Sequence, residues 1–381
     1  MEIIVSILIL LGLGLVLGQI FEQFRFAAVA GEILGGFILG PAVLGVIRPT
    51  AELTSISEIA LFFIVLLIGI EITTSLITNN YRGAVPLTFF SFGVPVVLML
   101  ALLHFFFGNT MATSVIVAVS IGVPSISIIS VLVKRYGLLQ NSSGQIILAS
   151  TVFSDLIAFI ALSAFLNQKD FLFKIAAILL FIVALFVADF FIHRNSAALV
   201  RVFSRLHATE QGDRVIFGVI IILGLVAATF FQLIGFTFVL GAFFAGMIIS
   251  EVILGQQILG ILTRTLNRMN DSFFIPVYFT IAGLNVIFPT PFFIVVLASL
   301  LLITGGAGAI LTRWIAPRIA PEMPPGRLMG FMGSRGAVGV VIAGTALGAA
   351  VISYDLYSVI LLGTVIMALF FPLFTREKNQ A

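Results

Sequence analysis

Asp155 follows Thr151 by four residues and Ser154 by one, inside IILASTVFSDLIAFIALSAFL (146–166), an apolar run long enough to cross a bilayer. On a helix, positions i and i+4 share a face, so Thr151 and Asp155 present a hydroxyl and a carboxylate together, with Ser154 adjacent. A carboxylate at membrane depth costs about 2.5–3.5 kcal/mol on insertion scales and persists mainly where it pairs, lines a wet cavity, or handles ions and protons. The set offers hard oxygen ligands with no sulfur or nitrogen donor, which suits an alkali cation. Where water is scarce, a proton and a cation compete for one carboxylate. That competition suffices for exchange without a covalent step, if Asp155 must carry one or the other whenever the protein changes the side it faces.

A second group of residues surrounds an interrupted helix. Pro124 follows Gly122 and Val123 in the span 110–134, and proline removes an amide donor and clashes with the preceding turn. The helix is expected to open there, freeing carbonyls that can replace part of a cation's hydration shell, with Ser120, Ser125, Ser127 and Ser130 adding hydroxyls. Arg335, flanked by Gly333, Gly336 and Gly339, marks a matching interruption in the span 326–350. Two opened helices crossing there leave half-helix ends facing one another, and Arg335 is expected to serve as a structural counter-charge or carbonyl clamp. Thr151, Ser154, Ser125 and Ser127 are the expected oxygen ligands beside Asp155.

The elements that must position these residues follow from composition. Of 381 residues, 61% are hydrophobic and 9% charged, so the chain is read as an all-α polytopic membrane protein. Punctuation by Gly, Pro, Asn and charge gives about thirteen transmembrane helices, near 3–20, 27–47, 55–74, 83–106, 110–134, 144–166, 171–192, 214–232, 236–254, 272–288, 291–315, 326–350 and 354–374. The first lacks a basic segment before its apolar stretch and reads as a retained helix, not a cleaved signal. There is no cysteine, and three scattered histidines (His104, His193, His207) make no metal cluster, so no cofactor is expected. With the N-terminus outside, fifteen basic residues fall in cytoplasmic segments, against Arg48, Lys169 and Lys174 outside. The positive-inside rule therefore favours an external N-terminus and a cytoplasmic C-terminus. The basic loop 193–214 then reports orientation, and nucleic acid is not an expected partner. Glu32 and Glu71 read as solvated helix-end groups or ion-pair members, and the GxxxG spacings at Gly31/Gly35 and Gly36/Gly40 as close helix packing.

The halves of the chain echo each other. GGFILG (35–40) recurs as AGMIIS (245–250), GIEI (69–72) as GLNV (283–286), and the break at Pro124 aligns with Arg335, at offsets of 210, 214 and 211 residues. A first repeat over 3–166, a linker helix over 171–192 and a second repeat over 214–374 put equivalent helices seven crossings apart, hence in opposite orientation. Two inverted-topology repeats with crossed discontinuous helices are the pattern of secondary transporters.

GEILGGFILGPAVLG (31–45), LFFIVLLIGIEI (61–72), SISIISVLVKRYGLL (125–139), FSDLIAFI (153–160) and GSRGAVGVVIAGTALG (333–348) resemble the monovalent cation/proton antiporter superfamily, in the branch of bacterial sodium/proton and potassium-efflux antiporters. The resemblance implies a homodimer in a prokaryotic plasma membrane whose mobile core carries the crossed helices in elevator-like alternating access. It maps the family's essential aspartate onto Asp155, the preceding site position onto Ser154 and the family arginine onto Arg335. Electrogenic relatives carry two adjacent acids at the 154/155 position and a lysine in the span equivalent to 272–288. Ser154 stands here instead, and that span has no basic residue, so electroneutral exchange of one proton for one sodium, or else potassium or lithium, is expected. No strand-linked GxGxxG fingerprint occurs, so nucleotide regulation within this polypeptide is not expected. Two other classes fit the composition: a cation-coupled solute symporter and a non-transporting membrane subunit that gates a partner.

Overall fold

The computed structural model describes residues 3–24, 26–71, 74–138, 141–166, 201, 203–207, 211–234, 236–249, 251–288, 290–321 and 323–375. The linker span 171–192 lies outside them. Among the described residues all regular structure is helical. Eight of the described helices are long and apolar enough to cross a membrane, and Ala28–Leu39, Met111–Gly122 and Phe238–Ile248 are shorter apolar helices. The chain is a multi-span membrane protein.

Three elements differ from the sequence reading, one being the span 236–254, which is helical over Phe238–Ile248 and then separately over Glu251–Leu254. The second helix stops at Leu39, well short of 47, because Pro41 disfavours helical backbone at Gly40 and cannot donate onward. Gln256–Met269 is helical where no element was expected. Its buried residues Ile258, Leu262 and Leu266 recur every four positions, while Arg264 and Arg268 hide the stripe from a search for apolar runs. That helix continues through a π turn, Asn270–Phe274, into Ile275–Leu284.

The chain forms two compact units. One comprises 1–57, 75–166 and 276–381, and contains both interrupted helices and Asp155. Inside it, Gly36 meets the Thr280 carbonyl and Gly283 the Ile33 carbonyl so closely that a Cβ at either would overlap the other backbone. A core of Leu87, Ile129, Val133, Ile147, Leu328 and Phe331 holds the cores of several helices together. The other unit comprises 58–74 and 167–275. There Gly69 meets the Phe243 carbonyl and Gly246 the Leu66 carbonyl in the same manner. Each participant stands 210 or 214 residues from its counterpart in the first unit, so one contact is built twice. The helix Gly212–Leu233 turns Ile222, Leu225, Val226, Phe230 and Leu233 outward, a face suited to lipid.

Candidate functional site

Met111–Gly122 begins at Thr110, whose hydroxyl accepts the Thr113 amide at 3.2 Å, and ends where Val123 turns extended ahead of Pro124. Helix resumes at Ile126, and the Ser125 carbonyl accepts the Ile129 amide at 3.0 Å. The second interruption repeats this 211 residues later: Pro325–Gly333, three non-helical residues, then Ala337–Gly348. Val123 and Ser334 have almost the same backbone angles, φ −68° with ψ 125° and φ −68° with ψ 127°.

The two interruptions touch. The Ser125 amide donates to the Ser334 carbonyl at 2.9 Å. Gly336 lies against the Ser125 side chain, and Gly339 against the Ser120 carbonyl, where no Cβ fits. Arg335 is 1% exposed and donates from Nε to the Ile121 carbonyl at 2.8 Å and from an Nη to the Met332 carbonyl at 2.6 Å. Both acceptors belong to the last turns of the half-helices Met111–Gly122 and Pro325–Gly333. The guanidinium thus caps two helix C-termini, where unsatisfied carbonyls concentrate negative partial charge.

The helix Ser142–Leu166 packs against Met111–Gly122, Ile126–Arg135 and Ala337–Gly348. Asp155 on it is fully buried, and neither carboxylate oxygen has a hydrogen-bond partner among the described residues. Thr151 and Ser154, also fully buried, donate to the carbonyls of Ile147 at 2.9 Å and Ser150 at 3.0 Å. Their protons are spent on backbone while their lone pairs stay available, so they can ligate a cation. Ser125 is 2% exposed, and Ser120 donates to the Ile116 carbonyl at 2.7 Å. Ser127 lies on Ile126–Arg135; its side chain is outside the described residues. Gly122 and Pro124 lie at the break itself.

Sequence reasoning missed several buried polar groups. Thr88 and Ser150 join their hydroxyls across two helices at 3.0 Å. The Tyr278 hydroxyl lies 3.4 Å from the Val340 carbonyl, and Tyr357 donates to the Ala282 carbonyl at 2.9 Å. Ser150 had a signal, its i, i+4 spacing to Ser154; Thr88 and the tyrosines had none in their local sequence. Glu32 corrects the sequence reading: it is 3% exposed, one turn inside Ala28–Leu39 and beside Gly18, so it is not a solvated helix end. Among the described residues, no group of three His, Cys, Asp or Glu could hold a metal ion.

Comparison with known proteins gives a consistent result. Residues 5–376 match the family described as sodium/hydrogen exchanger, transmembrane. An Na(+)/H(+) antiporter of Enterococcus hirae is 26% identical, over 94% of each chain. The Na(+)/H(+)-K(+) antiporter GerN of Bacillus cereus is 24% identical, over 93% of this chain and 90% of its own. A probable Na(+)/H(+) antiporter of Methanocaldococcus jannaschii is 24% identical, over 73% of this chain and 70% of its own. Among solved structures, the sodium proton antiporter MjNhaP1 of Methanocaldococcus jannaschii at pH 8 superposes with a TM-score of 0.65 at 16% identity, over 97% of this chain and 94% of that one.

Proposed function

The chain belongs to the sodium/hydrogen exchanger family, and we propose that it exchanges one proton for one sodium ion at Asp155, with potassium and lithium as the alternative cations. It is a cation/proton antiporter, a transporter and not an enzyme. The observation that carries the site assignment is Asp155 itself, fully buried with two unpartnered oxygens. A carboxylate so placed needs a proton or a cation to remain at that depth. Thr151 and Ser154 complete the ligand set with lone pairs, and Ser125 and Ser127 add oxygens from the first interruption. Arg335 has a structural part, neutralising two helix ends.

Electroneutrality follows from counting charges. One carboxylate carries one positive charge in each direction, Ser154 adds no second acid, and Ile275–Leu284 contains no base. Opposite orientation of the repeats 3–166 and 214–374 about a linker over 171–192 is supported by the contact built twice at offsets of 210 and 214 residues. An external N-terminus, elevator-like movement and a homodimer in a prokaryotic plasma membrane complete the proposal.

The test is dequenching of an interior pH dye in proteoliposomes on addition of sodium, potassium or lithium. Wild type should release protons with a cation preference, and Asp155→Asn should not. Wild-type behaviour of that variant would remove Asp155 from the mechanism.

A further inference from the structure

Thr88 has no part in the exchange as described. It is 5% exposed, on the helix Asn79–Phe106, where the π turn Phe89–Gly93 begins. Its Oγ1 has three oxygens in reach: the Ala84 carbonyl at 2.9 Å, the Ser150 carbonyl at 3.0 Å and the Ser150 hydroxyl at 3.0 Å. A threonine hydroxyl has one proton, so Thr88 donates to one carbonyl while accepting from the Ser150 hydroxyl.

The Ser150 carbonyl also accepts the Ser154 hydroxyl at 3.0 Å. Lying within Ser142–Leu166, it is in addition the i−4 acceptor for the Ser154 amide. Three donors therefore converge on an oxygen with two lone pairs. One of them, the Ser154 hydroxyl, adjoins Asp155 in sequence.

We infer that Thr88 is a positioning residue for cation release, acting through the Ser150 carbonyl on the Ser154 hydroxyl. While Ser154 donates to that carbonyl, its lone pairs are turned away from the backbone and serve a cation. When the Thr88 proton takes the carbonyl, the Ser154 hydroxyl is freed to rotate, and the cation loses a ligand. Thr88 thus keeps the site from binding so firmly that release becomes slow.

This rests on Asp155 and Ser154 forming the cation site. The test is the cation KM and kcat of exchange in proteoliposomes for Thr88→Val, which keeps the shape and removes the hydroxyl. The expected result is a lowered KM, by roughly fivefold, the effect of one ordinary hydrogen bond, together with a lowered kcat. Thr88→Ser should restore both. In a Ser154→Ala background, Thr88→Val should leave KM where Ser154→Ala alone puts it, since the effect passes through that hydroxyl. A raised or unchanged KM in Thr88→Val, or an equal shift in the Ser154→Ala background, overturns the inference. If Thr88→Val does not assemble, Thr88→Cys, with its weak S–H donor, should lower KM in the same direction, and an unchanged or raised value again overturns it. Asp155→Asn is measured alongside: if it keeps exchange, the site assignment itself fails, whereas if it loses exchange while Thr88→Val has the wild-type KM, only the role of Thr88 fails.

Discussion

A single carboxylate that accepts either a proton or a cation imposes a definite pH dependence. Acid conditions protonate Asp155, and the cation must then displace the proton. The half-saturating cation concentration should rise by about tenfold per pH unit on the acid side and level off on the alkaline side, as one-proton linkage requires. Initial exchange rates over a grid of pH and sodium concentration check this; a KM independent of pH would contradict competition at one site. Thr151→Val keeps volume and removes one ligand, so KM should rise severalfold with little change in thermal stability. Asp155 and Arg335 were legible in the sequence because charge inside an apolar span is expensive and conspicuous. Thr88 was not, because hydroxyls are cheap there and its partner Ser150 lies 62 residues away on another helix.

The interruptions were legible for the same reason that they form: Pro124 cannot continue a helix, and the glycines around Arg335 leave room for neighbours, Gly339 for the Ser120 carbonyl, Gly336 for the Ser125 side chain and Gly333 for the Phe371 ring. What the sequence did not disclose was that the two breaks join through Ser125 and Ser334, since a backbone hydrogen bond between distant segments leaves no residue-type signature. Gly339→Ala would drive a methyl group into the Ser120 carbonyl, so it should lower the melting temperature in detergent and abolish exchange. Arg335→Met strips the Ile121 and Met332 carbonyls of their donor, at about 1–3 kcal/mol for each group left unpaired. That variant should melt earlier yet, wherever it folds, keep the wild-type order of cation preference. A changed order would make Arg335 part of the selectivity machinery.

At the scale of the whole molecule, charge balance and orientation are both open to measurement. Electroneutral exchange should proceed at one rate whether a diffusion potential is imposed across the liposome or not, and a voltage-dependent rate would require a second transported charge. The 381 residues include no cysteine, which makes labelling of single introduced thiols unambiguous. Ser204→Cys should react with an impermeant maleimide only from the cytoplasmic side, and Met111→Cys only from outside; the reverse pattern would invert the proposed orientation. The proposed repeat rests on three short echoes in the sequence; the glycine contacts at offsets of 210 and 214 residues, which support it, were not legible there because they join backbones distant along the chain.

The bond from the Ser125 amide to the Ser334 carbonyl, with the Arg335 clamp beside it, fastens two broken helices into one piece. In surroundings poor in water such a fastening is strong, so under the proposed elevator-like movement the two breaks would travel as cargo already packed, without being dismantled at each crossing. The heat needed to speed turnover should then reflect how that piece slides past its neighbours, and the identity of the ion should govern loading far more than the speed of the journey.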